Sequence, residues 1–272
     1  MSSAFFVYRE HIGEAKGPFL QPVETGFHPT LPLTMLVARR YRGKTNELFT
    51  RFLCNVARFS SALSHRPWET LRVFDPLAGG GTTLFTALVM GASAAGVERR
   101  TTDVESTVVF IRNYCHEQGI ACRIRKERLR GIGHRWICTL GKHTRQTCLL
   151  AAGDTADSHD LISGFRPHLI VGDLPYGVQH RAKLTDLLAR SVPVWASLLP
   201  LAGSLVLAWE SRRFPREEMI ALIEETSSLK VLNHPPYNAL SHRVDRVIKE
   251  RDIVVTRLAE ALKRGYEPAD PA

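Results

Sequence analysis

The chain has 272 residues, 44% of them hydrophobic, which suffices for one large domain, or a domain with an extension, around a real core. Its 36 lysines and arginines outnumber its 27 aspartates and glutamates, and the formal net charge of +9 favours a polyanionic partner. No apolar run approaches the length of a membrane span and residues 1–20 lack an apolar core, so we expect neither a membrane span nor a signal peptide. The five cysteines form no Cys-x-x-Cys pair and no zinc-ligand spacing, which favours reduced, mostly buried thiols in a cytoplasmic protein.

Residues 1–64 are predicted to form an N-terminal extension that packs on the domain after it. Residues 1–26 contain scattered aromatic residues and no clear period, whereas Phe27-His28-Pro29 precedes a helix-like stretch over 33–40. From 46 to 63, apolar residues recur at helical spacing, which predicts an amphipathic helix packed on a sheet.

The stretch from Leu71 to Met90 predicts a strand, a glycine turn and a helix. An apolar run ends at Asp75, three consecutive glycines follow, and a helix-compatible segment runs from Thr82 to Met90. Glycines let the backbone approach a ligand, and the start of a helix offers unpaired N–H groups. The stretch contains neither Gly-x-x-x-x-Gly-Lys nor Gly-x-Gly-x-x-Gly, and the carboxylate of Asp75 would repel a pyrophosphate. The pattern favours a cationic ligand such as the sulfonium and amino group of S-adenosylmethionine, the alternative being a glycine turn without a ligand.

Two further predicted strands also end in acids. Glu98 closes the stretch 92–98, about 20 residues beyond the glycine turn, where a carboxylate commonly accepts hydrogen bonds from both ribose hydroxyls. After a predicted helix over 103–118 and an interruption, residues 147–152 restore the strand pattern. Asp154 follows this strand, where it is placed to accept a hydrogen bond from the adenine amino group of the cofactor. The alternatives are a surface acid that closes a strand for Glu98, and a strand-end or cap residue for Asp154.

Two motifs in the chain resemble one family, the S-adenosylmethionine-dependent methyltransferases that modify exocyclic amino groups of nucleobases. The glycine stretch is similar to the first motif of that family and reads Asp75-Pro76-Leu77-Ala78-Gly79-Gly80-Gly81-Thr82-Thr83. The second motif, an acid-x-Pro-aromatic sequence after a strand, looks like Asp173-Leu174-Pro175-Tyr176-Gly177. Its Leu and closing Gly resemble the RNA guanine methyltransferases, such as the catalytic half of tRNA enzymes that carry a THUMP domain. The likeness covers roughly residues 25–258.

The resemblance implies an α/β fold of the Rossmann-like class I methyltransferase type, with a seven-stranded, mostly parallel sheet and an antiparallel last strand. We expect a methyltransferase domain over 65–262 with an insertion at 121–147, and a flexible tail at 263–272. The later elements are expected over 184–199 (helix), 203–209 (strand), 215–227 (helix), and 229–233 with 251–256 (an antiparallel hairpin).

The resemblance also implies a set of site residues. The catalytic residues would be Asp173, Pro175 and Tyr176: Asp173 and the Pro175 carbonyl accept the two N–H hydrogens of the target amine, and Tyr176 stacks on the base. Such a reaction requires no metal. The implied cofactor-binding residues are Asp75, Pro76, Ala78, Gly79, Gly81, Thr82, Thr83, Glu98, Asp154 and Asp173.

The insertion is the best candidate for a contact with nucleic acid. Between 123 and 135 six positions are Arg or Lys and only one is acidic, and phosphates favour clustered cations. The alternative is a solvated, charged hairpin. About 60 residues before Leu71 are too few for a THUMP domain, so RNA choice must come from the insertion, a basic loop at 242–251, or a protein partner. The predicted substrate-binding residues are Arg123, Arg125, Lys126, Arg128, Arg130, Arg135, Trp136, which would stack on a base, and Arg243 in the loop.

These features predict a methyltransferase that modifies an exocyclic amino group of a base in RNA, most favourably guanine in tRNA or rRNA. DNA adenine or cytosine amino-methylation is the main alternative, and a glutamine amide in a protein would also fit the second motif. A non-catalytic, cofactor-binding RNA-interaction module is a further alternative. A similar tetrapeptide, His234-Pro235-Pro236-Tyr237, lacks an acid or amide at its first position, so we interpret it as a loop near the substrate.

Overall fold

The computed structural model describes residues 29–41, 44–142, 145–174, 181–242 and 251–264. Phe27-His28, residues 1–26 and most of the predicted tail lie outside these ranges, and the domain boundaries near 64 and 262 stay predictions.

In chain order, the helices and strands are α1 (Thr34–Ala38), α2 (Glu47–Ser60), β1 (Arg72–Asp75), α3 (Thr82–Met90), β2 (Ser93–Glu98), α4 (Thr101–Glu117), β3 (Cys122–Leu129), β4 (Gly133–Leu140), β5 (Gln146–Ala152), α5 (Ser158–Leu161), β6 (Leu169–Asp173), α6 (Arg181–Leu198), β7 (Ser204–Glu210), α7 (Arg216–Thr226), β8 (Leu229–Val231), β9 (Ser241–His242), β10 (Arg251–Leu258) and α8 (Ala259–Lys263).

Ten strands of the described chain form one sheet in the order β3-β4-β5-β2-β1-β6-β7-β10-β8, and β9 pairs with β10. The strands from β5 to β7 are parallel to one another. β10 lies antiparallel between β7 and β8. The run from β5 to β8 is the predicted seven-stranded sheet with its antiparallel last strand, so the Rossmann-like α/β fold is confirmed, and β3, β4 and β9 extend it.

The insertion adds two strands to one edge of this sheet. β3 pairs antiparallel with β4, and β4 pairs antiparallel with β5. In β4 the alternate side chains of Trp136, Cys138 and Leu140 are buried, which is the period of two expected for a strand with one face on the core. These side chains join the same apolar cluster as Ile111 and Tyr114 of α4. The insertion therefore continues the sheet as a hairpin that is apolar on one face.

Two apolar clusters cover the two faces of the sheet. Val73 of β1 belongs to the cluster that includes α2, α3 and α4, and its neighbour Phe74 belongs to the cluster that includes α6 and α7. The helix α2 begins at the cap residue Asn46, whose side-chain oxygen accepts hydrogen bonds from the N–H groups of Leu48 and Phe49. Every residue of α3 is buried, so this helix forms the centre of one layer directly behind the glycine turn. Within the described ranges, no helix is both long and apolar enough to cross a membrane.

Candidate cofactor and catalytic cleft

A cleft of about 1090 Å³ opens at the carboxyl ends of the parallel strands. In sheets of this type, ligands bind at this edge because the loops after neighbouring strands meet there. Gly81 does not line the cleft but is the last residue before α3. The other predicted cofactor residues all line it, namely Asp75, Pro76, Ala78, Gly79, Thr82, Thr83, Glu98, Asp154 and Asp173.

The glycine turn needs its glycines for two different reasons. Gly81 has a φ of 92°, a left-handed conformation that side chains rarely adopt, and this conformation directs the chain into α3. A Cβ on Gly80 would lie 2.2 Å from the ring of Tyr41, so only a glycine lets this ring pack on the turn. The turn is also tied to β2, because the Ala78 N–H donates to the Val97 carbonyl at 2.9 Å.

Asp75 is a buried carboxyl at the end of β1. Only 3% of the residue is exposed, and Oδ1 accepts a hydrogen bond from the Leu77 N–H at 3.0 Å. Burial raises the pKa of Asp75 to about 7, the Thr83 hydroxyl opposes this rise, and the nearby carboxyls of Asp173 and Glu98 add to it. A positive charge beside Asp75 would stabilise its ionised form, so this position suits a cation.

Glu98 and Asp154 complete the acidic side of the cleft. Glu98 accepts hydrogen bonds from the Gly79 N–H at 3.1 Å and the Arg100 N–H at 3.0 Å, and these bonds fix its carboxylate beside the glycine turn. Asp154 Oδ1 accepts from the Ala156 N–H at 3.0 Å as a helix cap, while its Oδ2 lies 3.4 Å from Arg190. The cap contact accounts for one oxygen of Asp154 and leaves the other at the cleft.

Asp173 is the last residue of β6, the strand next to β1, and the two oxygens of its carboxylate have different surroundings. Oδ2 accepts a hydrogen bond from the Thr45 hydroxyl at 2.6 Å and lies 3.8 Å from the Arg251 guanidinium. Oδ1 is buried and has no hydrogen-bond partner within the described chain. Burial raises the pKa of Asp173 to about 6 against the opposing effects of Arg251 and Thr45. A buried acceptor without a partner at the edge of a cleft is a site for a donor from a ligand.

The other two predicted catalytic residues, Pro175 and Tyr176, lie outside the described residues. The motif can be followed as far as Leu174, whose N–H donates to the Ala208 carbonyl at 2.8 Å and so holds the chain at the end of β6.

Residues that no sequence pattern singles out connect these parts. Arg39 donates to the Gly80 carbonyl at 2.7 Å, the Tyr41 hydroxyl bonds to the Thr82 hydroxyl, and Thr45 bonds to Asp173. The chain after α1 therefore touches both the glycine turn and the catalytic carboxylate. Arg251 was not predicted either, although an arginine at the head of an apolar strand is a signal that it has a buried partner.

The predicted nucleic-acid residues of the insertion differ in whether they form an ion pair within the described chain. Arg123, Arg128 and Arg130 are exposed and form none within that part of the chain. Lys126 is paired with Glu105 at 3.3 Å, and Arg135 binds Glu127 at 2.7 Å and also donates to the Ser163 carbonyl. Arg125 shares the same Glu127 carboxylate at 2.7 Å. Arg243 lies outside the described residues.

The prediction that Trp136 stacks on a base does not fit the structure. Its residue is only 5% exposed, because the inward face of β4 packs on α4, and the ammonium of Lys126 lies 4.7 Å from the ring centroid. Trp136 is a core residue, and the alternation of apolar residues along β4 is the signal that identifies it as one.

No protein-family model matches the chain, and no curated protein sequence matches it. Among solved structures, TrmN from Thermus thermophilus is similar with a TM-score of 0.50 at 15% identity, over 83% of this chain and 52% of that chain. The chain thus spans about half the length of TrmN. The rRNA methyltransferase aviRa from Streptomyces viridochromogenes is similar with a TM-score of 0.51 at 13% identity, over 87% of this chain and 96% of that chain. The chain therefore shares its Rossmann-like methyltransferase fold with these two proteins.

Proposed function

We propose that this protein is an S-adenosylmethionine-dependent methyltransferase that modifies an exocyclic amino group of a base in RNA. The observation that carries the proposal is the convergence of four strand-end carboxylates on one cleft around a glycine turn; they belong to Asp75, Glu98, Asp154 and Asp173. The fold shared with aviRa, an rRNA methyltransferase, supports the same class of reaction.

The residues of the cleft fit this cofactor. Burial raises the pKa of Asp75, no cation of the described chain is paired with it, and the amino or sulfonium group of the cofactor would provide the missing positive charge. Glu98, held by two backbone N–H groups, would accept the ribose hydroxyls. The outer oxygen of Asp154 would accept from the adenine amino group. The tight packing of Tyr41 on Gly80 closes one side of the turn.

Asp173 provides the chemistry toward the target amine. An exocyclic amine is a poor nucleophile because its lone pair is delocalised into the ring, and a hydrogen bond from its N–H to Oδ1 would orient that lone pair toward the methyl group. Thr45 and Arg251 hold Oδ2, which leaves Oδ1 for the substrate. The cofactor supplies the methyl group as an electrophile, and Asp173 acts mainly by positioning, because the methylated amine loses its proton readily. The Pro175 carbonyl and the Tyr176 ring keep their proposed roles as second acceptor and stacking surface.

The substrate class is the finer part of the proposal. The Leu-Pro-Tyr-Gly form of the second motif and the net charge of +9 favour RNA, with guanine in tRNA or rRNA as the target. All five cysteines are free, and four of them are buried, which fits a reducing compartment, and we propose the cytoplasm.

The proposal is tested by methyl transfer from labelled S-adenosylmethionine to total tRNA, rRNA and DNA, followed by nucleoside analysis. We expect guanosine methylated on its exocyclic amine in RNA. Asp173→Ala should lower transfer by about 10³-fold while cofactor affinity stays within a few-fold. Asp160→Ala, which removes an exposed acid outside the cleft, is the matched control and should keep full activity. Methyladenine or methylcytosine in DNA alone would establish the DNA alternative, and near wild-type transfer by Asp173→Ala would refute the assigned chemistry.

A further inference from the structure

A second cavity, of about 580 Å³, lies at the opposite end of the same parallel strands. Arginine side chains line it from three separate parts of the chain: the start of β1, the β3–β4 hairpin, and the segment before β6. We call it the arginine groove and define it by Arg72, Arg125, Arg135, Arg166, Ser93 and Thr147. None of the residues assigned to cofactor or catalysis contributes to its lining.

The strand register explains why these side chains lie together. Arg72 is opposite Ser93, and the Ser93 hydroxyl accepts a hydrogen bond from the Thr147 N–H at 3.1 Å. Thr147 is in turn opposite Thr139, and Thr139 is opposite Arg123. Residues opposite one another in a sheet project from the same face. One face of five strands thus begins with a polar row, and this row has an arginine at each end.

The next row on the same face is mostly apolar, and Ile137, Leu149 and Arg125 of this row also line the groove. This row crosses the strands β1, β2, β5, β4 and β3, and each residue is paired with the next. Its members are Phe74, Ala95, Leu149, Ile137 and Arg125. Phe74, Ala95 and Leu149 belong to the core cluster of the α6–α7 layer, and the partly buried Ile137 packs against it. The polar row lies beyond this apolar one, and its hydroxyl-bearing residues, Ser93, Thr139 and Thr147, keep partial solvent exposure.

The charges of the groove are not balanced. Within the described chain, a single carboxylate, that of Glu127, pairs with both Arg125 and Arg135, and Arg72 and Arg166 have no carboxylate partner. Burial and the nearby Arg66 and Arg166 lower the pKa of Arg72. Burial and the same kind of neighbours, Arg72 and Arg66, lower the pKa of His168 to about 4. Gathering like charges costs free energy, and a bound anion would offset that cost.

We propose that the arginine groove binds phosphates of the RNA backbone, so that the RNA substrate is held on both ends of the sheet. Guanidinium groups match phosphate oxygens in pairs, and the hydroxyls of the floor can donate further hydrogen bonds. The identity of the polyanion as RNA rests on the proposed function, whereas the groove itself does not.

The hairpin provides a path between the two ends. Its turn is level with the end of β5 at the cleft, since His134 is opposite Ala152, whereas Arg123 is level with the polar row. Exposed arginines therefore occur along this edge from the groove toward the cleft, with Arg123 on the face of the groove, Arg128 on the other face of β3 and Arg130 in the turn. At about 3.4 Å per residue, this edge spans roughly 24 Å, enough for several consecutive phosphates.

The test measures binding of a labelled tRNA transcript by fluorescence anisotropy over a range of salt concentrations, without cofactor. In the groove variant, Arg125→Gln and Arg166→Gln remove two cations without touching the hydrogen bonds of Arg72. Each phosphate contact contributes about 0.7 to 0.9 to the slope of log K against log salt. We expect the slope to fall by about 1.5 and the affinity at low salt to fall at least tenfold. The matched control is Arg212→Gln with Lys263→Gln, an equal change of charge at exposed sites away from the groove, and it should behave as wild type.

An unchanged slope in the groove variant, an equal fall in the control variant, or no binding of RNA by the wild-type chain would each overturn the proposal. Duplex DNA that competes as well as RNA would overturn the choice of RNA as ligand. Failure of the proposed function is seen separately, as an absence of cofactor binding or methyl transfer in a protein whose groove variant still shows the expected loss of slope.

Discussion

The two ends of the parallel strands differ in charge. β1 begins at Arg72 and ends at Asp75, and β2 begins at Ser93 and ends at Glu98. Since parallel strands bring all their starts to one edge and all their ends to the other, the same strands form an arginine-rich groove at one edge and a cleft with strand-end carboxylates at the other. The strand-end carboxylates suit the cationic part of a cofactor, and the arginines of the groove suit phosphate. Changes at one edge should therefore leave binding at the other edge intact.

The largest expected effect comes from removing the charge of Asp75. The folded-state pKa of about 7 lies above the ordinary aspartate value of 3.8, so the folded chain binds more protons than the unfolded chain between these pH values. Asp75 therefore contributes fully to the free energy of unfolding below about pH 4. This contribution falls as the pH rises toward 7, by at most about 4 kcal/mol. Asp75→Asn should abolish this pH-dependent loss of stability, so the ligand-free variant should melt at a higher temperature than wild type at pH 8 and at the same temperature at pH 4.

The cofactor affinity of Asp75→Asn should fall at least tenfold, while its RNA binding stays unchanged. Calorimetry and thermal melts at both pH values check this, and a lower melting temperature at pH 8 would contradict it.

Removing Glu98 should weaken cofactor binding by about 1.5–3 kcal/mol, because a charged hydrogen-bond acceptor is lost. Titration calorimetry of Glu98→Ala measures the effect. The control is Glu117→Ala, which removes an exposed glutamate at the end of α4. An unchanged affinity in a folded Glu98→Ala protein would remove this residue from the cofactor site.

A smaller effect is expected from a substitution that changes the packing of the glycine turn and leaves the charge of the cleft unchanged. Gly80→Ala forces a Cβ against the Tyr41 ring and should cost about 1–3 kcal/mol of stability. In a Tyr41→Ala background the same change should cost almost nothing, because the obstructing ring is gone. Denaturant unfolding of the four proteins in this double-mutant cycle gives the coupling. Equal costs in both backgrounds would show that the ring does not constrain the turn.

The smallest expected change concerns the pH dependence of transfer. Arg251 lowers the pKa of Asp173, so Arg251→Met should raise that pKa above about 6. Because the ionised carboxylate accepts the amine hydrogen, activity falls as the pH drops through this pKa. The acidic limb of the kcat/KM profile should therefore move up by about one pH unit. Arg251→Lys retains the charge and should leave the limb near its wild-type position. A limb that stays in place in Arg251→Met would show that Arg251 has only a structural role.

The local elements of this protein are well specified by its sequence. The predicted helix from Thr82 to Met90 has the observed bounds, because glycines with φ of 92° and 108° flank it at Gly81 and Gly91. The antiparallel hairpin of β8 and β10 also agrees with the prediction. In these places the pattern of apolar residues and turn residues decides the structure over a short range.

The contacts between distant segments could not be predicted in the same way. Thr45 is 128 residues from Asp173, and no period or motif marks it as a partner. The groove depends on the register of five strands, which places Arg72 on the same row as Arg123. Trp136 was misassigned because an aromatic residue among arginines resembles a stacking residue, whereas its burial follows from the pairing of β4 with the sheet.

Within the described ranges, β3 is the last strand at one end of the sheet, and this position has a consequence for self-association. An edge strand has backbone N–H and C=O groups on its outer side that no neighbouring strand satisfies, and such a row can recruit a strand from a second molecule. In β3 the cations at 123, 125, 126 and 128 lie along this edge, and their repulsion opposes the approach of another copy. These cations therefore disfavour edge-to-edge pairing between two copies of the chain. A variant with several of them neutralised should be tested for aggregation before its RNA affinity is compared with that of wild type.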